Sequence, residues 1–267
     1  MVDNLKDLEN FAHYIADKAR KISLRFYKKK IKIKSKLKKE FDPVTLADLE
    51  VQNKINFLIN KKFPNHSILG EEKSILKNSI YEWCVDPIDG TKSFIQGVPL
   101  WGTLISLSKK NKIILGVADI PALDERYVGI NGKAYKIIKS KKTYLHVRNT
   151  KTLKDTILNT TSPYLFRNKL DQLSFERLCK KVKSTRLGGD CYSYCLLADG
   201  HIDLVVESGL KPWDIRALEP IIVNAGGVIR TWNDKSVLKG GSIIASTNNK
   251  IFRESRKILS KKNPVSK

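Results

Sequence analysis

EWCVDPIDGTKSF, from Glu82 to Phe94, sends a short apolar run, Trp83 to Val85, straight into two carboxylates, Asp86 and Asp89, set around a proline and followed by Gly90 and Thr91. The run has the length and composition of a strand end, and the Pro, Asp and Gly residues behind it have the chemistry of a turn. Rigid elements deliver side chains to their edges and turns expose them, so catalytic groups gather at such junctions. Taken alone, the stretch is equally an ordinary junction whose acids cap backbone donors. The surrounding chain decides between the two.

Upstream, HSILGEE (His66 to Glu72) repeats the pattern of an apolar run that ends in acids. Before it, Thr45 has the chemistry of a helix cap, and the apolar spacing from Ala47 to Ile59 predicts a helix ending at Pro64, with Asp48 in its first turn. A carboxylate at a helix start is electrostatically comfortable, so Asp48 needs no further role on this ground. Leu5 to Phe26 carries apolar residues at intervals of three and four, one face of a scaffold helix on which His13 needs no function. IKIKSKL, Ile31 to Leu37, alternates as a basic strand would, although a charged surface loop reads the same way.

Downstream, Trp101 to Leu123 reads as a hairpin, and ERYVGINGKAYKI adds two strands turning at Asn131 and Gly132. The first half is therefore expected to be helices on an antiparallel sheet. Past Lys139 to Lys142 the chain reads as a polar, basic connector, which puts a domain boundary near 140 to 150 and divides the chain into 1–145 and 146–267. The second half alternates strands (Thr156 to Asn159, Ile202 to Val206, Gly227 to Thr231) with helices (Leu170 to Lys180, Asp190 to Ala198, Ile215 to Asn224), an α/β pattern.

An apolar fraction of 41% in 267 residues is enough for a substantial core. The net charge of +23, dense at Lys28 to Lys39, Lys139 to Lys142 and Lys257 to Lys267, makes a basic RNA-binding or regulatory protein a class to weigh. No reading motif or repeated aromatic pattern accompanies it, so nucleic acid is not the expected partner and the charge steers anionic small molecules or favours solubility. Cys84, Cys179, Cys191 and Cys195 include no CxxC, which favours reduced thiols. No segment has signal or membrane-spanning length, and a cytoplasmic location away from membranes is expected.

Four acids share one context. Glu71, Asp86 and Asp89 follow apolar runs, and Asp214 opens a helix of the second half. Hard oxygen ligands without a His or Cys cluster select Mg²⁺ or Mn²⁺ over zinc, and clustered carboxylates require a cation or strongly raised pKa values. Gly90 and Thr91 add close backbone approach and a hydroxyl for an anion, and a pairing of this kind points to phosphoryl transfer.

DPVTLAD (Asp42 to Asp48), GEE (Gly70 to Glu72), DPIDGT (Asp86 to Thr91) and PWD (Pro212 to Asp214) followed by AGG (Ala225 to Gly227) together resemble the motif set of the inositol monophosphatase superfamily. RLGGDCYSYCLLADGHIDLVVESGLKPWD (Arg186 to Asp214) and WGTLISL (Trp101 to Leu107) are similar to its histidinol-phosphate phosphatase branch. The resemblance implies an α/β (α+β) fold, an alternating α/β/α/β/α sandwich, dimeric, with the site between the halves. It implies that Glu71, Asp86 and the main-chain carbonyl of Ile88 hold one Mg²⁺, that Asp86, Asp89 and Asp214 hold a second, and that a third, weaker ion touches Glu71, with Mn²⁺ able to substitute. It also implies that Asp48 hydrogen-bonds to Thr91, that Gly90 and Thr91 bind phosphate, that Glu71 and Thr91 orient the attacking water, and that Asp214 attends the leaving oxygen.

Asp190 and Glu207 fall where the resemblance puts the non-phosphate half of the substrate, with Arg186 and Tyr192 orienting it. Asp190 alternatively caps its own helix, and Tyr194 is as apt for the core. Two acids suit the amine and imidazole of L-histidinol phosphate. A phosphomonoesterase for that ester is the leading expectation, ahead of inositol 1-phosphate or sugar phosphates and of 3'(2'),5'-bisphosphate nucleotides.

Overall fold

A computed structural model describes residues 4–29, 33–35 and 43–260. Asp42, all of IKIKSKL but Ile33–Ser35, and residues 261–267 with their lysines lie outside the described residues.

In chain order the first half runs α1 (Leu5–Phe26), β1 (Ile33–Ser35), β2 (Pro43–Thr45), α2 (Leu46–Lys62), β3 (Ser67–Gly70), β4 (Tyr81–Asp89), α3 (Thr91–Gln96), β5 (Gly102–Lys109), β6 (Lys112–Ile120), β7 (Glu125–Ile130), β8 (Lys133–Ile138) and β9 (Lys141–Tyr144). The second continues β10 (Ile157–Thr160), α4 (Lys169–Cys179), β11 (Ser184–Leu187), α5 (Asp190–Ala198), β12 (Leu204–Leu210), α6 (Pro212–Ile215), α7 (Leu218–Asn224), β13 (Val228–Thr231), β14 (Gly241–Ser246) and α8 (Asn249–Leu259).

Strands β3 to β9 pair in sequence order as one seven-stranded sheet, antiparallel throughout except for β3 and β4. The second sheet has the order β11-β10-β12-β14-β13. Its parallel pairs, β10 with β11 and β10 with β12, are the ones whose connections contain α4 and α5, because parallel neighbours need a crossover.

Alternation along the strands sends side chains to opposite faces and builds the layers. Leu8, Phe11 and Ile15 of α1 and Val51 and Ile55 of α2 pack on Trp83, Ile105 and Val117. On the other face of that sheet, Leu104, Ala118 and Tyr127 meet Tyr194 and Leu197 of α5 and Ile221 and Ile222 of α7, which also cover Val205 and Ile243 of the second sheet. Leu204, Val206 and Ile244, one position out of phase, face Phe175 and Leu178 of α4 and Phe252 and Leu259 of α8. The result is the α/β/α/β/α sandwich. No helix among the described residues is long and apolar enough to cross a membrane, and all four cysteines are free.

Several elements differ from the sequence reading for identifiable reasons. The helix expected over Ile215 to Asn224 is two pieces, because Pro220 has no N–H to give Arg216 and its ring clashes with that carbonyl in a continuous helix. Lys141–Tyr144, at the point where the sequence reads as passing into a connector, is an edge strand exposed along its whole length; lysines are what protects such an edge from pairing with another chain. The strand placed at Ile202 to Val206 instead spans Leu204–Leu210, and β11, β14 and α8 were not foreseen.

Gly116 and Gly129 stand opposite each other on β6 and β7. A Cβ on Gly116 would lie 2.0 Å from the carbonyl oxygen of Ala217, and one on Gly129 would lie 2.2 Å from the carbonyl carbon of Pro220. The pair forms a notch in the sheet that seats the start of α7. A Gly129→Ala variant is expected to lose about 1–3 kcal/mol through overpacking. Equilibrium urea denaturation checks this; an unchanged midpoint would show that the notch has room.

Candidate active site

The strand expected to stop at Val85 runs on to Asp89, with an irregularity where the acids begin. Asp86 pairs with Leu104 and Asp89 with Gly102, and the register shifts between them. Pro87 lies in that shift and has no N–H for a regular ladder. The kink is pinned from both sides: the Ile88 amide donates to Asp86 Oδ1 at 3.0 Å, and the Thr103 hydroxyl donates to the Pro87 carbonyl at 2.9 Å. A bulge of this kind re-aims side chains, here Asp86 and Asp89.

Two helices of the second half complete the cluster. The Cys191 amide in the first turn of α5 donates to Asp89 Oδ2 at 2.8 Å, and the Lys211 amide donates to Asp214 Oδ2 at 2.8 Å where α6 begins. Carboxylate oxygens of Asp86, Asp89 and Asp214 lie within 4.8 Å of one another, Asp86 buried and the other two half-buried. Burial, then repulsion from Glu71, Asp89 and Asp214, pushes the Asp86 carboxyl well above the usual carboxylate range. Burial, then repulsion from Asp190 and Asp214, does the same to Asp89. Burial raises Asp214 to about 7, against the opposing Lys211 amide and with repulsion from Glu71. Glu71, whose amide donates to the Val85 carbonyl at 3.1 Å, therefore sits against the same cluster.

These donors fit a hard divalent cation. Three carboxylates share one position, each penalised for its charge, and a cation with oxygen ligands removes that penalty. The Ile88 carbonyl, named with them, accepts the Thr91 hydroxyl at 3.0 Å and keeps a second lone pair.

That bond corrects one expectation. Thr91 donates to Ile88, and the expected Asp48 to Thr91 hydrogen bond is absent. Asp48 is the third residue of α2 and closes a capping box, its Oδ2 accepting the Thr45 amide at 2.8 Å and the Thr45 hydroxyl at 2.5 Å. Its other oxygen, Oδ1, is buried without a hydrogen-bond partner. Burial raises the Asp48 carboxyl to about 6 despite the Thr45 hydrogen bonds, with repulsion from Glu71 and Glu72 adding to it.

Beside the acids is a cavity of about 90 Å³ walled by Asp89, Asp190, Glu207 and Asp214, with Thr161, Leu165 and Tyr194. A larger cavity of about 590 Å³ beside α7 has Glu219 as its single carboxylate and shares no wall with this cluster. Glu207 is buried; its Oε1 accepts the Thr161 amide at 2.8 Å and its Oε2 the Tyr194 hydroxyl at 3.0 Å. Burial raises its carboxyl to about 7.

Asp190 does not cap α5. Gly189 is the cap residue, and the Asp190 carboxylate reaches across to accept the Ser93 hydroxyl at 2.8 Å. It lies against Gly90, at φ +80°, where a Cβ would come within 3.1 Å of it. The structure does not bring Arg186 or Tyr192 to the cavity. Arg186 is exposed on β11, and the Tyr192 hydroxyl donates to Glu125 at 3.1 Å, an acceptor it shares with Tyr127 at 2.6 Å. Tyr194, two residues on, is the tyrosine of the wall. Ser93 and Thr161 were missed, although Ser93 stands two residues behind DPIDGT and Thr161 two residues past the strand expected at Thr156 to Asn159. Leu165 carried no signal.

The family model described as the inositol monophosphatase family matches residues 4–261. Among curated relatives, the chain is 41% identical over 238 residues to an Arabidopsis thaliana protein named bifunctional phosphatase IMPL2, chloroplastic, covering 87% of this chain and 67% of that one. It is 31% identical over 245 residues to a histidinol-phosphatase of Chlorobaculum parvum, covering 90% and 91%. Among solved structures, an inositol monophosphatase from Zymomonas mobilis superposes with a TM-score of 0.83 at 34% identity, covering 96% and 99%.

Cation binding is expected to stabilise the folded chain, by about 2.7 kcal/mol at a hundred times the dissociation constant. Thermal melts with and without MgCl₂ read this directly. Asp86→Asn should melt cooperatively and lose the response; a full Mg²⁺ response in that variant would move the metal elsewhere.

Proposed function

The chain belongs to the inositol monophosphatase family, and on that footing we propose that it hydrolyses L-histidinol phosphate to L-histidinol and inorganic phosphate. The observation that carries the substrate is the pair Asp190 and Glu207, two carboxylates in one cavity wall beside the Asp86, Asp89 and Asp214 cluster. A neutral polyol needs hydrogen bonds and no counter-charge. An amine beside a titratable imidazole matches two acids, and burial strengthens the pairing. The relatives named histidinol-phosphatase and bifunctional phosphatase agree with this reading.

Asp86, Asp89 and Asp214, with Glu71 and the Ile88 carbonyl, would hold two or three Mg²⁺ ions, or Mn²⁺ in their place. When bound, such cations neutralise phosphoryl oxygens and activate water for in-line attack. Gly90, without a side chain, lets the backbone approach the phosphate, and the Thr91 hydroxyl, its proton given to the Ile88 carbonyl, keeps lone pairs that can accept from a water. Glu71 and Thr91 orient the water, and Asp214 attends the leaving oxygen. No side chain becomes phosphorylated: Asp89 would be occupied as a metal ligand, with its Oδ2 also accepting the Cys191 amide. A cytoplasmic homodimer belongs to the same reading.

Inositol 1-phosphate is the second reading, favoured by the likeness to the Zymomonas enzyme. A bisphosphate nucleotide comes third, since no adenine pocket is evident beside the acids among the described residues. Phosphate release in Mg²⁺ from L-histidinol phosphate, inositol 1-phosphate and adenosine 3',5'-bisphosphate tests the order. L-histidinol phosphate is expected to lead in kcat/KM, and Glu207→Gln to raise its KM by roughly 10- to 100-fold through loss of a charge-assisted contact. Preference for inositol 1-phosphate would overturn the substrate, and salt-sensitive RNA binding without phosphate release would overturn the enzyme.

A further inference from the structure

Thr161 follows the last residue of β10, and all three of its polar groups are committed. Its amide donates to Glu207 Oε1 at 2.8 Å, its hydroxyl accepts the Asp190 amide at 3.1 Å, and its carbonyl accepts the Gly188 amide at 3.0 Å. One residue thereby ties β12, the first residue of α5 and the loop from β11 into α5.

The hydroxyl contact matters because of how Asp190 is held. Asp190 has φ +45°, a left-handed backbone that residues with a Cβ rarely adopt and that persists only where the surroundings enforce it. The first amides of a helix lack partners within it. Here two consecutive ones are taken by different elements: Cys191 gives its proton to Asp89 from β4, and Asp190 gives its own to Thr161. The Asp190 carboxylate is thus not needed to cap its own helix and is turned across the cavity to Ser93.

We propose that Thr161 is the positioning residue for the cation-binding side of the cavity, its hydroxyl fixing Asp190 and its amide fixing Glu207 so that both carboxylates face one substrate. This rests on the reading of the substrate as a cationic phosphate ester. Thr161 acts through Asp190, so its effect falls on discrimination between cationic and neutral esters.

Thr161→Val keeps the amide, the carbonyl and the shape and removes the acceptor. The measured quantity is the ratio of kcat/KM for L-histidinol phosphate to that for glycerol 2-phosphate in Mg²⁺. T161V is expected to lower it about tenfold, chiefly through KM for the cationic ester, as loss of one hydrogen bond to a buried donor does. Thr161→Ser retains the acceptor and the wild-type ratio. In an Asp190→Asn background, T161V should change the ratio less than about twofold, since residues acting as one unit are not additive. If T161V has no cooperative melt, Thr161→Cys replaces it, sulfur being a weak acceptor. A wild-type protein with no preference for the cationic ester overturns the substrate reading, and the inference with it. A preference that T161V leaves intact, that T161S also loses, or that T161V lowers fully in the Asp190→Asn background overturns the inference alone.

Discussion

Carboxylates that repel one another are held together at a seam where burial makes the repulsion stronger, and the rest of the structure answers to that constraint. Asp86 and Asp89 come from one sheet, Asp214 from a helix packed between the sheets, and Glu71 from the end of a neighbouring strand. None could stay in place on a mobile loop. The kink at Pro87 is closed by the Ile88 amide and the Thr103 hydroxyl, and Asp89 and Asp214 each accept a backbone amide where a helix begins, where partial positive charge offsets part of the cost. Three apolar clusters, one on each side of the sheets and one between them, supply the burial that holds these pieces against their own repulsion.

What was legible in the sequence is what is local. The period of α1, the cap at Thr45 and the acids of DPIDGT are each set by neighbours along the chain, and the first helix has the limits its spacing suggests. The fold class was legible because motif after motif fell in order. Contacts between distant segments left no such trace. Nothing near Gly116 announces Ala217, and nothing near Thr161 announces that its hydroxyl meets Asp190. Tyr192 and Tyr194 are two residues apart on α5, hence about 200° around it, and composition does not say which side meets the cavity. Asp48 illustrates the opposite difficulty: its capping role was legible locally, whereas the expected contact with Thr91 came from resemblance and yielded to the cap.

The electrostatics divide by distance. A chain with a net charge of +23 attracts anions out to about a Debye length from its surface, while the acids that line the cavity act over a few ångströms. Lys92 beside Asp190 and Lys211 beside Asp214 bring positive charge up to those acids. On the reading proposed above, an anionic ester drawn in by the exterior would meet the cluster with its phosphate and Asp190 and Glu207 with its other end. Lysines exposed on β9 contribute to the first step and keep a sheet edge solitary.

The glycine notch acts as a gauge. Two residues separate α6, which carries Asp214, from α7, whose start rests in the hollow above Gly116 and Gly129. How deeply α7 sits therefore sets how far Asp214 stands from Asp86, across a link too short to take up slack. The separation of acids contributed by two distant parts of the chain is thus written in the absence of two side chains on the sheet. Drift at those two positions would move Asp214 against Asp86 as well as strain the packing, and a cation held between them would register it, since Mg²⁺ demands a closer, more regular shell than its larger competitors.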